Sequence, residues 1–259
     1  MSKTIVREDD YPVVHLFLAR PEARNALSRE LIQELRAELE TVADDRRVRA
    51  VILGSRDKVF CAGADLREMK ELLAGNKEQG REDTQSLRYL LEELLELPQV
   101  VIAAVNGAAL GGGCGLVTAC DLAVAAGDAT LGYPETRIGI VPALVAVLLS
   151  RLCGERVTRD LLLTGRVLSA DEAKEVGLVN EVVEPDKLLQ RAEELARMVA
   201  ANSPAAISGT KRLLRQLRGL GFREAMDLAV YTNTMAREGD DLREGLSAFF
   251  EKRDPEWSA

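Results

Sequence analysis

The sequence predicts an α/β core followed by a helical C-terminal part. Three observations lead there. Short branched-aliphatic runs alternate with helix-period segments through the first half of the chain. Two glycine-containing stretches each lie between such a run and a helical segment. From Pro142 onward, the chain reads as helix after helix. The expected division is a core over residues 1–200 and a helical region over residues 201–259.

Thr4–Val6 and Val13–Leu18 read as two strands, with Asp9 and Asp10 in the hairpin turn between them. Ser28 is placed to cap a helix carrying Leu31, Leu35, Leu39 and Val42 at near-helical spacing. Ala50–Gly54 is a short buried strand, and Leu66–Leu73 a helix. Ala74–Asp83 is polar with two glycines and is expected to be a mobile loop. Leu87, Leu90, Leu91, Leu94 and Leu95 mark a further helix, stopped by Pro98. Val100–Val105 is the next strand, Asn106–Gly113 a loop, and Gly115–Ala119 helix. Leu122–Ala126 and Ala129–Gly132 are short strands. The later helices break near Gly154, Gly165, Gly177, Pro204 and Gly221, and Leu178–Val183 is the one late β-like stretch.

Composition narrows the function classes. The 259 residues suffice for a large core, which aliphatic side chains must fill because aromatics are only 4%. A net charge of −8 argues against general nucleic-acid binding, whose affinity comes mainly from neutralising phosphates. Cys61, Cys114, Cys120 and Cys153 form no Cys-x-x-Cys pair and have no histidine nearby, so they read as buried thiols and no metal site is expected. The N-terminal residues lack the apolar stretch of a signal peptide, and no apolar run is long enough to span a bilayer. The expectation is a cytoplasmic protein without membrane or nucleic-acid partners.

The two glycine segments carry the chemistry. Phe60–Asp65 (FCAGAD) places four small residues in a row between strand and helix, and Leu110–Gly115 (LGGGCG) follows a strand and opens a helix. Small residues let a ligand approach the backbone, and a helix start presents unpaired N–H groups to developing negative charge. Neither segment fits the phosphate-loop or the dinucleotide fingerprint. Close packing of a helix against the sheet is the competing explanation for the glycines.

At these residues the sequence resembles the enoyl-CoA hydratase/isomerase family, also called the crotonase family. The matching motifs span nearly the whole chain: Arg20–Leu27 (RPEARNAL), Phe60–Asp65, Ile102–Gly107 (IAAVNG), Leu110–Gly113, Tyr133–Gly139 (YPETRIG), Leu162–Gly165 (LLTG) and Phe249–Arg253 (FFEKR) among them. The resemblance implies a spiral β-sheet core of ββα repeats with a C-terminal helical trimerisation region. It implies homo-trimers or hexamers and acyl-CoA thioester substrates, coenzyme A being part of the substrate rather than a cofactor. The family's oxyanion hole maps onto the N–H groups of Ala64 and Gly112. CoA-binding positions map onto Arg24, Ala62, Ala64, Asp65, Leu66, Gly111 and Gly112, with Phe249 and Lys252 reaching CoA from a neighbouring subunit.

Hydratases of this family usually carry two glutamates. The first maps to Gly115, which cannot titrate; the second maps to Glu135 and is present. Read alone, Glu135 is more simply a surface carboxylate after a turn proline. Its place in the family motif makes it the expected acid/base group in a pocket that disfavours its ionised form. Hydration of 2-enoyl-CoA to 3-hydroxyacyl-CoA ranks first, because Gly113–Val117 together with Glu135–Pro142 resembles a branch that includes methylglutaconyl-CoA hydratases. A Δ3,Δ2-enoyl-CoA isomerase with Glu135 as sole base ranks second, and a lapsed CoA-binding scaffold third. His15 reads as structural, Tyr133 as packing or water-orienting, and Asp121 as a backbone hydrogen-bonding residue. Lys211–Arg218 reads as a solvated helix face with a CoA-phosphate contact open to it. The pocket floor is expected from the Leu66–Leu95 region and the apolar helix after Pro142.

Overall fold

A computed structural model describes residues 3–73 and 77–257. The first hairpin pairs β1 (Ile5–Asp10) with β2 (Val13–Leu18) antiparallel. Asp9 and Asp10 are the last residues of β1, opposite Val14 and Val13, so the turn falls on Tyr11–Pro12 rather than on the two aspartates. An edge strand can carry outward charges, which is why their polarity misplaces the turn. Helix α1 (Arg29–Asp44) follows. Ser28 caps it by accepting a hydrogen bond from the Leu31 N–H at 3.2 Å, and Leu31, Leu35, Leu39 and Val42 are buried.

From here the chain winds in a repeating pattern. A long strand enters the main sheet, a short strand enters a second sheet, and one or two helices close the turn. β3 (Ala50–Ser55) and β4 (Val59–Cys61) lead to α2 (Leu66–Leu73) and α3 (Lys77–Glu96). β5 (Val100–Val105) and β6 (Ala108–Leu110) lead to α4 (Gly112–Ala119). β7 (Leu122–Ala126) and β8 (Thr130–Gly132) lead through a 3-10 turn, Pro134–Ile138, to α5 (Ala143–Leu152) and α6 (Gly154–Thr164). β9 (Val167–Ser169), α7 (Ala170–Glu175) and β10 (Glu181–Val183) complete the two sheets, whose orders are β1-β2-β3-β5-β7-β10 and β4-β6-β8-β9. These are ββα repeats coiled into a spiral. Every residue of β2, β3 and β5 is buried, as expected for strands covered on both faces.

Three expectations are corrected. Lys77–Asp83 is the start of α3, not loop; residues 74–76 lie outside the described residues. Arg29 donates to both carboxylate oxygens of Asp83, and Gln79 donates to the same carboxylate one turn away, so tertiary ion pairing and an i,i+4 contact outweigh the cost of Gly80. The 106–113 stretch contains β6 and the first residues of α4. β9 is a second late strand; it is three residues long with only Leu168 buried, too short for periodicity to register.

Helix α8 (Leu188–Ala200) packs across β3 and β5, and α9 (Pro204–Gln216), α10 (Phe222–Arg237) and α11 (Asp240–Glu251) follow it. Lys211 is not solvated, as its basic neighbours suggested. Its Nζ donates to Asp121 Oδ2 at 2.6 Å and to the Gln99 carbonyl at 2.8 Å, and its side chain is only 12% exposed. Asp121 Oδ2 also accepts from the Val101 N–H, the backbone role expected of it. The pair pins α9 to the ends of α4 and β5. His15 is buried in β2 with Nε2 3.7 Å from Glu193 on α8, a structural position. Among the described residues no helix is long and apolar enough to cross a membrane.

Asp121→Ala removes one partner of this partly exposed pair and leaves Lys211 only the Gln99 carbonyl, so it should lower unfolding stability by about 1 kcal/mol. Urea unfolding checks this; an unchanged midpoint would mean that packing alone holds α9.

Candidate active site

The site is assembled by three chain segments lying against one another. Residues 20–27 come first. Asn25 sits at φ 53°, a left-handed conformation that asparagine tolerates better than most residues, and is fully buried. Its Oδ1 accepts from the Arg20 N–H at 2.7 Å, and its Nδ2 donates to Ser55 Oγ and to the Val59 carbonyl, each at 2.8 Å. That fixes the loop against β3 and β4. The loop then runs parallel to the first glycine segment: the Ala62 N–H donates to the Arg24 carbonyl, Leu27 N–H to Gly63, and Asp65 N–H to Leu27. In a parallel bridge these bonds use the groups flanking Ala64, so the Ala64 N–H points away from Leu27. It donates to no other backbone group among the described residues, and Ala64 is exposed.

The second segment meets the first by backbone contact. Gly63 has φ 91°, and a Cβ there would lie 2.7 Å from the Leu110 carbonyl oxygen; a Cβ on Gly113 would lie 2.4 Å from the Cys61 carbonyl oxygen. At these two glycines, close packing is the reason for the residue. At Gly111 and Gly112 the surroundings differ. Gly111 (φ 53°, ψ −126°) is the N-cap of α4 and provides no side-chain cap. Gly112 is the first helical residue, so its N–H has no intrahelical acceptor and sits at the positive end of the helix dipole. Leu27 links the donors, bridging to Ala64 and lying 3.0 Å from where a Gly112 Cβ would be.

Glu135 is the third part. Pro134 starts the 3-10 turn and Gly139, in the left-handed region, ends it. The turn sets the Glu135 carboxyl against Gly111: a Cβ on Gly111 would lie 3.1 Å from Oε1. Glu135 Oε2 is buried without a hydrogen-bond partner among the described residues. Burial pushes the carboxyl above its ordinary pKa, with its own backbone N–H pulling weakly the other way. A half-buried carboxyl with a free oxygen beside two free N–H groups can exchange a proton with a bound carbonyl compound whose oxygen those groups hold.

The space beside Gly115 is filled. A Cβ there would lie 2.8 Å from Val145 Cγ1 and 3.9 Å from Leu91 Cδ2. α5 and α3 therefore fill this side with apolar side chains. Tyr133 is fully buried with its hydroxyl on Thr118, so it packs rather than facing Glu135. Burial pushes the Cys61 and Cys114 thiols up to about 12, which keeps them protonated at neutral pH and unsuited to nucleophilic attack.

Ala62, Ala64, Leu66, Gly111, Gly112 and Glu135 thus belong to one cluster or its rim. Leu66 is 56% exposed and Arg24 is exposed. The Asp65 side chain is committed elsewhere: Oδ1 accepts from the Arg67 and Glu68 N–H groups at the start of α2, and Oδ2 accepts from Arg20 at 2.9 Å. Phe249 and Lys252 are exposed at the end of α11, which is tied to the α8–α9 junction through Asp241 with Ser203 and Trp257 with the Ala201 carbonyl. Sequence reasoning missed Asn25 and Val145. Asn25 was legible as an asparagine in a turn; Val145 was only one apolar residue in an apolar helix.

A family model described as enoyl-CoA hydratase/isomerase matches residues 8–259. A Thermus thermophilus protein is 45% identical over 243 residues, covering 94% of this chain and 96% of its own. The short-chain-enoyl-CoA hydratase of Clostridium acetobutylicum is 37% identical over 257 residues, covering 96% and 95%. The crystal structure of an enoyl-CoA hydratase from Bacillus anthracis superposes with a TM-score of 0.92 at 38% identity, covering 98% of each chain. With the motifs, the spiral fold and matches over nearly its whole length in agreement, the chain belongs to the enoyl-CoA hydratase/isomerase family.

Proposed function

We propose that the protein is an enoyl-CoA hydratase, adding water to 2-enoyl-CoA thioesters to give 3-hydroxyacyl-CoA. The observation that carries this reading is the Glu135 carboxyl held against Gly111, next to the free N–H groups of Ala64 and Gly112. The thioester oxygen lies between those two donors. Glu135 takes a proton from water as the water oxygen bonds to the β-carbon, and the electron pair moves onto the thioester oxygen as an enolate. Glu135 then returns its proton to the α-carbon, so one carboxyl cycles one proton and the net addition is H₂O. Two preorganised donors favour the enolate over the ground-state carbonyl, one such donor being worth about 3 kcal/mol of barrier. Relatives named for crotonyl-CoA and short-chain enoyl-CoA hydration support the assignment. The chemistry is acid–base only and calls for no separate cofactor.

The apolar filling beside Gly115 favours a second reading, a Δ3,Δ2-enoyl-CoA isomerase, since a single base suffices to move a proton between two carbons. CoA is taken to run past Arg24, Ala62, Asp65 and Leu66. Phe249 and Lys252 would meet it only in an assembly of copies. Exposed Phe222, Tyr231, Phe249 and Phe250 on α10 and α11 support a trimer or hexamer built on these helices.

Loss of the conjugated thioester absorbance of crotonyl-CoA tests hydration directly. Conversion of a 3-enoyl-CoA without that loss would replace it with isomerisation, and binding without either would leave a scaffold. Glu135→Gln should cut kcat by about 10²–10⁴-fold while acyl-CoA affinity is largely kept.

The base form of Glu135 must be ionised, so kcat/KM should fall as pH drops through a carboxyl pKa above the ordinary value of 4.5. The sign for stability is opposite. The folded protein binds this proton more tightly than the unfolded chain, so ionisation costs stability above the raised pKa and nothing below the unfolded one. Glu135→Gln should therefore melt higher than the parent at pH 7, with the difference vanishing near pH 4.

Gly115→Glu forces a side chain into Val145 and should cost about 1–3 kcal/mol. Adding Val145→Ala should recover much of that in a thermal melt.

A further inference from the structure

The Glu135 side chain accepts only from its own backbone N–H among the described residues, and its Oε2 is buried without a partner. Its place therefore comes from the backbone that carries it. That backbone is tied to α4 at two points. At the cap, the Gly111 N–H donates to the Gly132 carbonyl at 2.8 Å, where β6 and β8 run side by side. One residue later the Tyr133 hydroxyl meets Thr118 Oγ, near the other end of α4. From Gly112 to Thr118 the helix rises about 9 Å. Two bonds that far apart fix the tilt of the following turn; one alone would leave a pivot. On its other side the turn lies against the end of α6, where a Cβ on Gly165 would be 3.2 Å from Thr136 Oγ1 and from Arg137 Cγ.

The direction of the second bond follows from hydroxyl bookkeeping. Thr118 Oγ already donates to the Cys114 carbonyl at 2.8 Å, and a hydroxyl has one hydrogen to give. The Tyr133 O–H is therefore the donor and Thr118 Oγ the acceptor. Both side chains are buried, Tyr133 completely. Burial pushes the phenol well above its ordinary range, so the hydrogen stays in place at any working pH. Packing does not require this hydroxyl, since a phenylalanine ring would fill the space without bringing a polar oxygen into the core.

We propose that Tyr133 is a positioning residue: through Thr118 it sets the tilt of the Pro134–Ile138 turn on α4, and so holds the Glu135 carboxyl in a fixed place relative to the Gly112 N–H. The proposal rests on the reading that Glu135 is the acid/base group. Proton transfer depends steeply on distance, and a misplacement on the order of 1 Å can cost 10²-fold in rate. Loss of one hydroxyl that lies away from the substrate then costs turnover rather than binding.

The variants are Tyr133→Phe, Thr118→Val and Thr118→Ser, compared with Glu135→Gln on crotonyl-CoA, or on a 3-enoyl-CoA if that is what the parent turns over. Tyr133→Phe leaves Thr118 its own acceptor and removes a single oxygen, so it keeps the fold, which a thermal melt checks. Its kcat should fall by about fivefold or more while KM stays within about twofold of the parent. Thr118→Val should behave alike, and Thr118→Ser, which keeps the hydroxyl, should stay within about twofold of the parent. Because one bond joins the two residues, the double variant Tyr133→Phe/Thr118→Val should lose no more than the worse single variant. A smaller fall in the kcat of folded Tyr133→Phe, an equal rise in KM, or losses that multiply in the double variant overturn the proposal. If Thr118→Val does not fold, Tyr133→Phe and Thr118→Ser decide. Glu135→Gln separates the inference from the reading beneath it. Where Glu135→Gln is slow and Tyr133→Phe matches the parent, only the positioning role falls. Where Glu135→Gln is as fast as the parent, the assignment of the base falls and the positioning role with it.

Discussion

The site depends on the direct backbone contact between the two glycine segments. Gly63 lies against the Leu110 carbonyl, and Gly113 against Cys61. No side chain separates β4 from the start of α4 there, so the N–H of Ala64 and the N–H of Gly112 are carried on one rigid unit rather than on two mobile loops. In the proposed reaction, donors held in this way would need no reorganisation as charge develops. The 20–27 loop supplies the remaining constraint. Asn25 pins it to β3 and β4, and Leu27 bridges to Ala64 and so turns that N–H outward.

Much of this was legible in the sequence because its signals are local. Ser28, the leucine spacing of α1, the all-aliphatic β5 and the glycines flanked by strand and helix each report their own conformation. Glu135 was legible through its motif and would otherwise have passed as a surface residue. What could not be read were tertiary relations. The ion pair that makes helix of Lys77–Asp83 joins residues far apart in the chain, and Lys211 looks solvated until Asp121 is placed under it. The aspartates at the end of β1 illustrate the converse, since their polarity belongs to an edge strand rather than to a turn.

Glycine also proved to have more than one meaning within a few residues. At Gly63 and Gly113 its absence of a side chain admits another backbone. At Gly111 it admits a carboxyl group, and at Gly115 it admits a valine from a different helix. Sequence alone assigns all four the same permissiveness. Only the neighbours distinguish packing from catalysis, and they show that the fold and the site compete for the same small residues.

The Val145 contact has a bearing on how such a site can change over generations. An acidic side chain at position 115 and a branched one at position 145 claim the same volume. Neither can be altered alone without a clash or a void, so the two positions are epistatic. A larger side chain at position 115 therefore calls for a smaller one at position 145, and the range open to each helix is set by the other.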